Sequence, residues 1–210
     1  MSSEGYIKYQ CIWTDSAIQI PELVKDSINS WRKKLYDLSL IGANESGIGY
    51  GNISIRNKNN TFFITGSATG EKPILAVNDL ALVQEWDFDN NQLKCTGKTK
   101  ASSESLTHAA IYESDAAIGS VIHVHSGTIW DQLMHKVPTS SAVVEYGTPA
   151  MAREIEQLLK DKKNRNTGIV AMGGHEEGIL VYGKNIHEAG KIILSYYHQC
   201  LNNSTMSDPG

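Results

Sequence analysis

Few features of this 210-residue chain suggest a disulfide scaffold or a membrane anchor. Its three cysteines, Cys11, Cys95 and Cys200, are odd in number, far apart and free of any CxxC spacing. That excludes a disulfide frame and a zinc knuckle and matches the usage of reduced thiols. No apolar run approaches the roughly 20 residues needed to cross a bilayer. The opening MSSEGYIKYQ has neither the basic nor the apolar region of a secretory leader. The expectation is a cytoplasmic protein with no membrane partner. Basic blocks are short as well: the densest, KDKKNR at 160–165, reads as a solvated helix end. With 19 Lys and Arg against 23 Asp and Glu, the net charge of −4 also argues against a nucleic-acid partner. There is no internal repeat, no low-complexity linker, no Walker motif and no dinucleotide fingerprint.

What is present is globular: 40% hydrophobic and 20% charged residues. A chain of this size buries on the order of 70% of its unfolded surface and needs no metal merely to fold. Helical spacing runs over 21–41, with Pro21 in the first turn and Gly42 as a stop. GYGNISIR and TFFITGS read as two strands joined by the turn 57–60, and 80–85 as another strand. A helix over 102–113, capped by Ser102 or Ser103, is followed by a strand at 120–125 and short and longer helices at 128–134 and 148–160. A strand pair at 168–172 and 178–182 surrounds GGHEE, and a helix over 186–200 closes the chain. Residues 1–20 read as an extension, 21–201 as a single α/β domain with helices covering a hairpin-rich sheet, and 202–210 as a mobile tail.

Two histidines, His123 and His125, flank one valine in GSVIHVHSGTIW. Side chains two apart on a strand point the same way, so both imidazoles face a common space while Val124 faces a core. His175 lies in a glycine-rich turn whose backbone freedom would let its side chain be aimed. Three neutral imidazoles fit zinc or a similar divalent ion with a fourth position open, though satisfied structural histidines would read the same way. His135, His187 and His198 read as surface or helix-face residues. Glu104, in KASSESLTHAA, belongs to the first turn of a helix, where the dipole favours a carboxylate. Beside a metal it would be a proton-transfer group. His108, one turn on, either orients Glu104 or simply packs. GYGNIS, TGSATG and Ser102-Ser103 gather glycines, hydroxyls and a helix N-terminus, which is what a phosphate needs.

The order GNISIR, ITGSATG, SSE, HVHS and GGHEEGILVYG resembles the class II aldolase/adducin family over nearly the whole chain. The resemblance implies a three-layer α/β/α sandwich with a central, mainly antiparallel sheet, assembled as a cyclic homotetramer. It implies that His123, His125 and His175 hold a catalytic Zn2+ or another divalent transition metal, and that Glu104 is the general acid/base. Asn52, Ser67, Thr69, Gly70, Ser102 and Ser103 would cradle the phosphate of a sugar-phosphate substrate. The family's Thr-Gly element falls either on Ser67-Ala68 or on Thr69-Gly70. The implied activity is cleavage of a ketose 1-phosphate to dihydroxyacetone phosphate and an aldehyde. Related 4-epimerases tend to carry aspartate in place of Glu104, which disfavours that reaction. A methylthioribulose-phosphate dehydratase, a decarboxylase and a non-catalytic adducin-type interaction module are the alternatives. The family's aldolases also use a tyrosine after the HxH strand, and Tyr146, Tyr196 and Tyr197 are left without an assigned role.

Overall fold

The computed structural model describes residues 6–206. Its centre is an eight-stranded sheet in the order β1-β7-β6-β5-β4-β8-β10-β9. The strands are β1 (Gln10–Asp15), β4 (Asn52–Arg56), β5 (Phe62–Thr65), β6 (Leu80–Asp87), β7 (Gln92–Gly97), β8 (Ser120–His125), β9 (Ile169–Ala171) and β10 (Gly178–Gly183). All pairings are antiparallel except β1 with β7. A separate two-stranded ribbon joins β2 (Gly42–Ala43) to β3 (Gly49–Tyr50). Helices α2 (Ser105–Ser114) and α4 (Pro149–Lys160) cover one face, while α1 (Glu22–Asp37), α3 (Gly127–Leu133) and α6 (Ile186–Met206) cover the other. The chain is the α/β three-layer sandwich that the motifs imply.

Strand β8 shows why. Ile122 and Val124 enter the core under α1 and α6, while Val121 enters the core under α2 and α4. Period-two alternation therefore carries His123 and His125 to the α2 side, buried with the rest of the strand. Helix α4 is capped as its sequence suggests: the Thr148 side chain accepts from the Met151 N–H and Pro149 opens the first turn.

Several expectations shift. Gln10–Asp15, inside the segment read as an extension, pairs in parallel with β7 and completes the sheet. Helix α1 stops at Asp37, and the left-handed residue that turns the chain is Ser39 (φ 56°), not Gly42. A side chain at Gly42 would meet the hydroxyl end of the Tyr50 ring, which would have to shift to admit it. Helix α6 runs past 201 to Met206; of the segment read as a tail, 207–210 lie outside the described residues. Among the described residues no helix is long and apolar enough to cross a membrane.

Candidate active site

His123, His125 and His175 converge: one ring nitrogen from each lies within 4.8 Å of the other two. The Nε2 atoms of His123 and His125 are 3.1 Å apart. Two nitrogens on one tetrahedral zinc ion are separated by about 3.3 Å, so the spacing fits a shared divalent ion. His123 Nδ1 lies 3.1 Å from the Ile179 carbonyl oxygen. A proton there, donated to that acceptor, leaves the Nε2 lone pair facing the cluster. Burial drives the His123 imidazole well below its ordinary pKa, and His125, His175 and His108 add to the effect. It is therefore held neutral, as a ligand must be. An all-imidazole donor set suits zinc and its transition-metal neighbours.

His175 is aimed by packing rather than by backbone freedom. Gly173 and Gly174 have no left-handed φ. They are required because the backbone of Ser140 and Val144 passes directly over them, where a Cβ would collide. The Tyr146 ring stacks on His175 at 3.9 Å between centroids, tilted by 17°. Lys8 in turn places its ammonium 3.6 Å from the Tyr146 ring centre and bonds the Glu145 carboxylate and the Tyr146 carbonyl. The alkyl-ammonium of the N-terminal segment thus clamps the tyrosine that clamps the histidine. Tyr196 and Tyr197 pack against the core on the opposite face of the sheet.

Glu104 occupies the N-cap of α2, the position expected for Ser102 or Ser103, yet its side chain caps nothing. Its Oε2 accepts instead from the Thr107 hydroxyl at 2.8 Å. The carboxylate is 2% exposed and makes no cap hydrogen bond, so helix capping does not account for its position. Thr107, not His108, orients it. His108 Nδ1 meets the Ser54 hydroxyl at 2.7 Å, and Ser54 also meets Tyr112 at 2.7 Å. The loop before α2 is fixed by Tyr9, whose hydroxyl donates to the Ala101 and Ser102 carbonyls.

Burial lowers the His108 pKa to about 3, far below its unfolded value. The unfolded chain therefore binds more protons between roughly pH 6.5 and 3, so this histidine's contribution is complete above that window and is lost as pH falls through it. Urea unfolding of metal-free protein, wild type against His108→Gln, is expected to show a pH slope between pH 5 and 6 that is steeper in the wild type by about 1.4 kcal/mol per pH unit. Equal slopes would place the proton uptake elsewhere.

One cavity of about 230 Å³ joins these groups. His123, His175 and Glu104 line it, together with Asn52, Ser67, Thr69, Gly70, Ser102 and Ser103. Ser67-Ala68 and Thr69-Gly70 both border it, so either placement of the Thr-Gly element reaches the cavity. The side-chain oxygen of Asn52 is buried with no hydrogen-bond partner among the described residues. Gly49 and Gly70 touch so closely that a side chain on Gly70 would strike the Gly49 backbone. Tyr50 and Gly51 of GYGNIS also line the cavity, as does Tyr6, which lies outside every motif. His135, His187 and His198 are exposed and stand apart from it.

The family model for the class II aldolase and adducin N-terminal domain matches residues 43–201. The chain belongs to that family. Among curated relatives, L-ribulose-5-phosphate 4-epimerase UlaF of Salmonella paratyphi B is 27% identical over 160 residues, spanning 67% of this chain and 68% of that protein. Among solved structures, an L-fuculose 1-phosphate aldolase superposes with a TM-score of 0.66 at 20% identity, covering 91% of each chain. The putative aldolase/epimerase/decarboxylase YgbL of Klebsiella pneumoniae gives 0.66 at 15% identity, covering 90% of this chain and 92% of that one. These structures share the fold. Class II aldolase membership with this site makes the chain an enzyme of the class II aldolase type, and the family generally uses a divalent metal. Strand β1 and helix α1, with Lys8, Tyr9 and Arg32, lie outside the matched span.

Proposed function

We propose that this class II aldolase family member cleaves the C3–C4 bond of a ketose 1-phosphate, giving dihydroxyacetone phosphate and an aldehyde. The observation that carries the reading is the shared cavity: a buried glutamate, a small-residue loop, and His123 and His175 of the three-imidazole cluster open onto one space. His123, His125 and His175 would hold Zn2+ or another divalent transition metal, which when bound supplies Lewis-acid stabilisation of the negative charge that cleavage places on the ketose oxygen. Asn52, the Ser67, Thr69 and Gly70 loop, Ser102 and Ser103 would receive the phosphate and fix the carbon chain. The C4 hydroxyl loses its proton as the aldehyde forms, and Glu104 delivers one to C3, so the two products together carry the atoms of the substrate. Thr107 holds Glu104 in place for that transfer. We read the protein further as a cytoplasmic cyclic homotetramer with 21–201 as its family domain.

The likeness to UlaF favours a second reading, 4-epimerisation of a pentulose 5-phosphate, which would break and remake a C–C bond with the same groups. Glutamate at 104 supports the aldolase. Metal-reconstituted protein incubated with ketose 1-phosphates and with L-ribulose 5-phosphate separates them. Release of dihydroxyacetone phosphate, followed by its enzymatic reduction, is the expected result. Epimer formation without that release would favour the second reading, and inertness toward both with metal bound would remove aldol chemistry altogether.

A further inference from the structure

We propose that Arg32 is a positioning residue that shapes the anion-binding loop and supplies its buried counter-charge, giving the site its preference for a phosphate dianion. The inference rests on reading the cavity as a phosphoester site.

Arg32 projects from α1 and is 0% exposed. Its Nε donates to the Lys72 carbonyl at 2.6 Å, and its Nη2 to the Thr69 and Gly70 carbonyls at 2.6 and 3.3 Å. A trans peptide points its C=O and the following N–H in opposite directions. Drawing the Thr69 and Gly70 carbonyls onto Arg32 therefore turns the Gly70 and Glu71 N–H groups away from it. The N–H groups of Ala68, Thr69 and Gly70 have no hydrogen-bond partner among the described residues. Ala68, at φ 58°, adopts the left-handed turn that makes successive amides converge into an anion nest. Without a glycine, that conformation persists only where surrounding contacts impose it.

The charge itself is the second observation. Among the described residues no carboxylate forms an ion pair with Arg32, and its Nη1 is buried without a partner. Asp79 is felt from nearby, but its carboxylate bonds Lys72 Nζ and the Ala76 N–H. Burial pulls the guanidinium down to about 10, still charged at neutral pH. A neutral amide could brace carbonyls without burying a charge, and an uncompensated buried cation is unfavourable unless an anion arrives. A phosphate seated on the loop is that anion.

The test compares full-length, metal-loaded wild type with Arg32→Gln and Arg32→Lys, using inorganic phosphate as the calorimetric probe and the phosphorylated substrate for kinetics. Arg32→Gln is expected to weaken phosphate binding and raise KM by about tenfold or more, with kcat and metal content little changed. Arg32→Lys, which keeps the charge but not the planar fork that braces the three carbonyls, should fall between Arg32→Gln and wild type. If Arg32→Gln does not fold, Arg32→Met takes its place with the same expectation. Phosphate affinity unchanged in the neutral variants, against a wild type that binds, would overturn the role of Arg32. A wild type that binds no phosphate would instead remove the phosphoester reading beneath it.

Discussion

His175→Ala loses bound metal and turnover together; that is the expected result for a residue that closes a three-imidazole cluster. One ring nitrogen from each histidine lies within 4.8 Å of the other two, and His175 comes from the turn between β9 and β10 while His123 and His125 come from β8. Removing it leaves two nitrogens from one strand. Disturbing groups that merely support metal ligands costs about 10- to 100-fold in affinity, so deleting a ligand should exceed about 100-fold. Equilibrium dialysis against a competing chelator reads the affinity, and initial rates read the turnover. The fold should survive, because His175 sits in a turn and the strands beside it, β9 and β10, keep their pairing. His123→Ala should behave alike in metal and activity. A His175→Ala protein with full metal and full activity would remove the cluster from the mechanism.

Glu104→Gln separates proton transfer from metal holding. The substitution keeps the shape and the oxygen that accepts from Thr107, and it removes the ionisable proton. Metal content should match wild type, while turnover falls by about 10²-fold or more, the usual contribution of a positioned acid/base. Substrate affinity should change far less than kcat, because the lost interaction belongs to the transition state. Wild-type turnover would move the acid/base to another residue. Loss of metal with turnover would instead mean that the carboxylate acts through the cluster.

How much of this was legible in the sequence depended on how local each signal was. His123 and His125 declare themselves, because period two on a strand is a local rule and Ile122 and Val124 fill the opposite face. Helix α4 was equally readable from its spacing and cap, and the start and inward face of α6 from spacing, while its end lies beyond 200 at Met206. Strand β1 was not: QCIWTD is an edge strand with Ile12 and Trp13 left exposed, so it carries no inside-outside alternation to read. Strand β7 turns Leu93, Cys95 and Gly97 inward, a set too mixed to announce a strand.

The site divides the same way. Asn52, Ser102, Ser103 and Glu104 follow from motifs, and Thr107 lies only three residues from its partner Glu104, whereas Tyr146, Lys8 and Arg32 depend on distant contacts. Lys8 meets Glu145 across 137 residues, and Arg32 meets Thr69 across 37. Nothing in either local sequence marks the partner. The glycines of GGHEE were noticed, but for the wrong reason: close passage of the Ser140 and Val144 backbone, not a left-handed turn, excludes a side chain there.

The most direct test of the central claim is metal content per chain, measured by elemental mass spectrometry on untagged protein after exposure to Zn2+ and other divalent transition metals. The three-histidine account predicts close to one zinc or comparable ion per chain in the wild type, and far less in His123→Ala. Wild-type protein that stays empty after metal is supplied, or binding that persists unchanged in the variant, would contradict it.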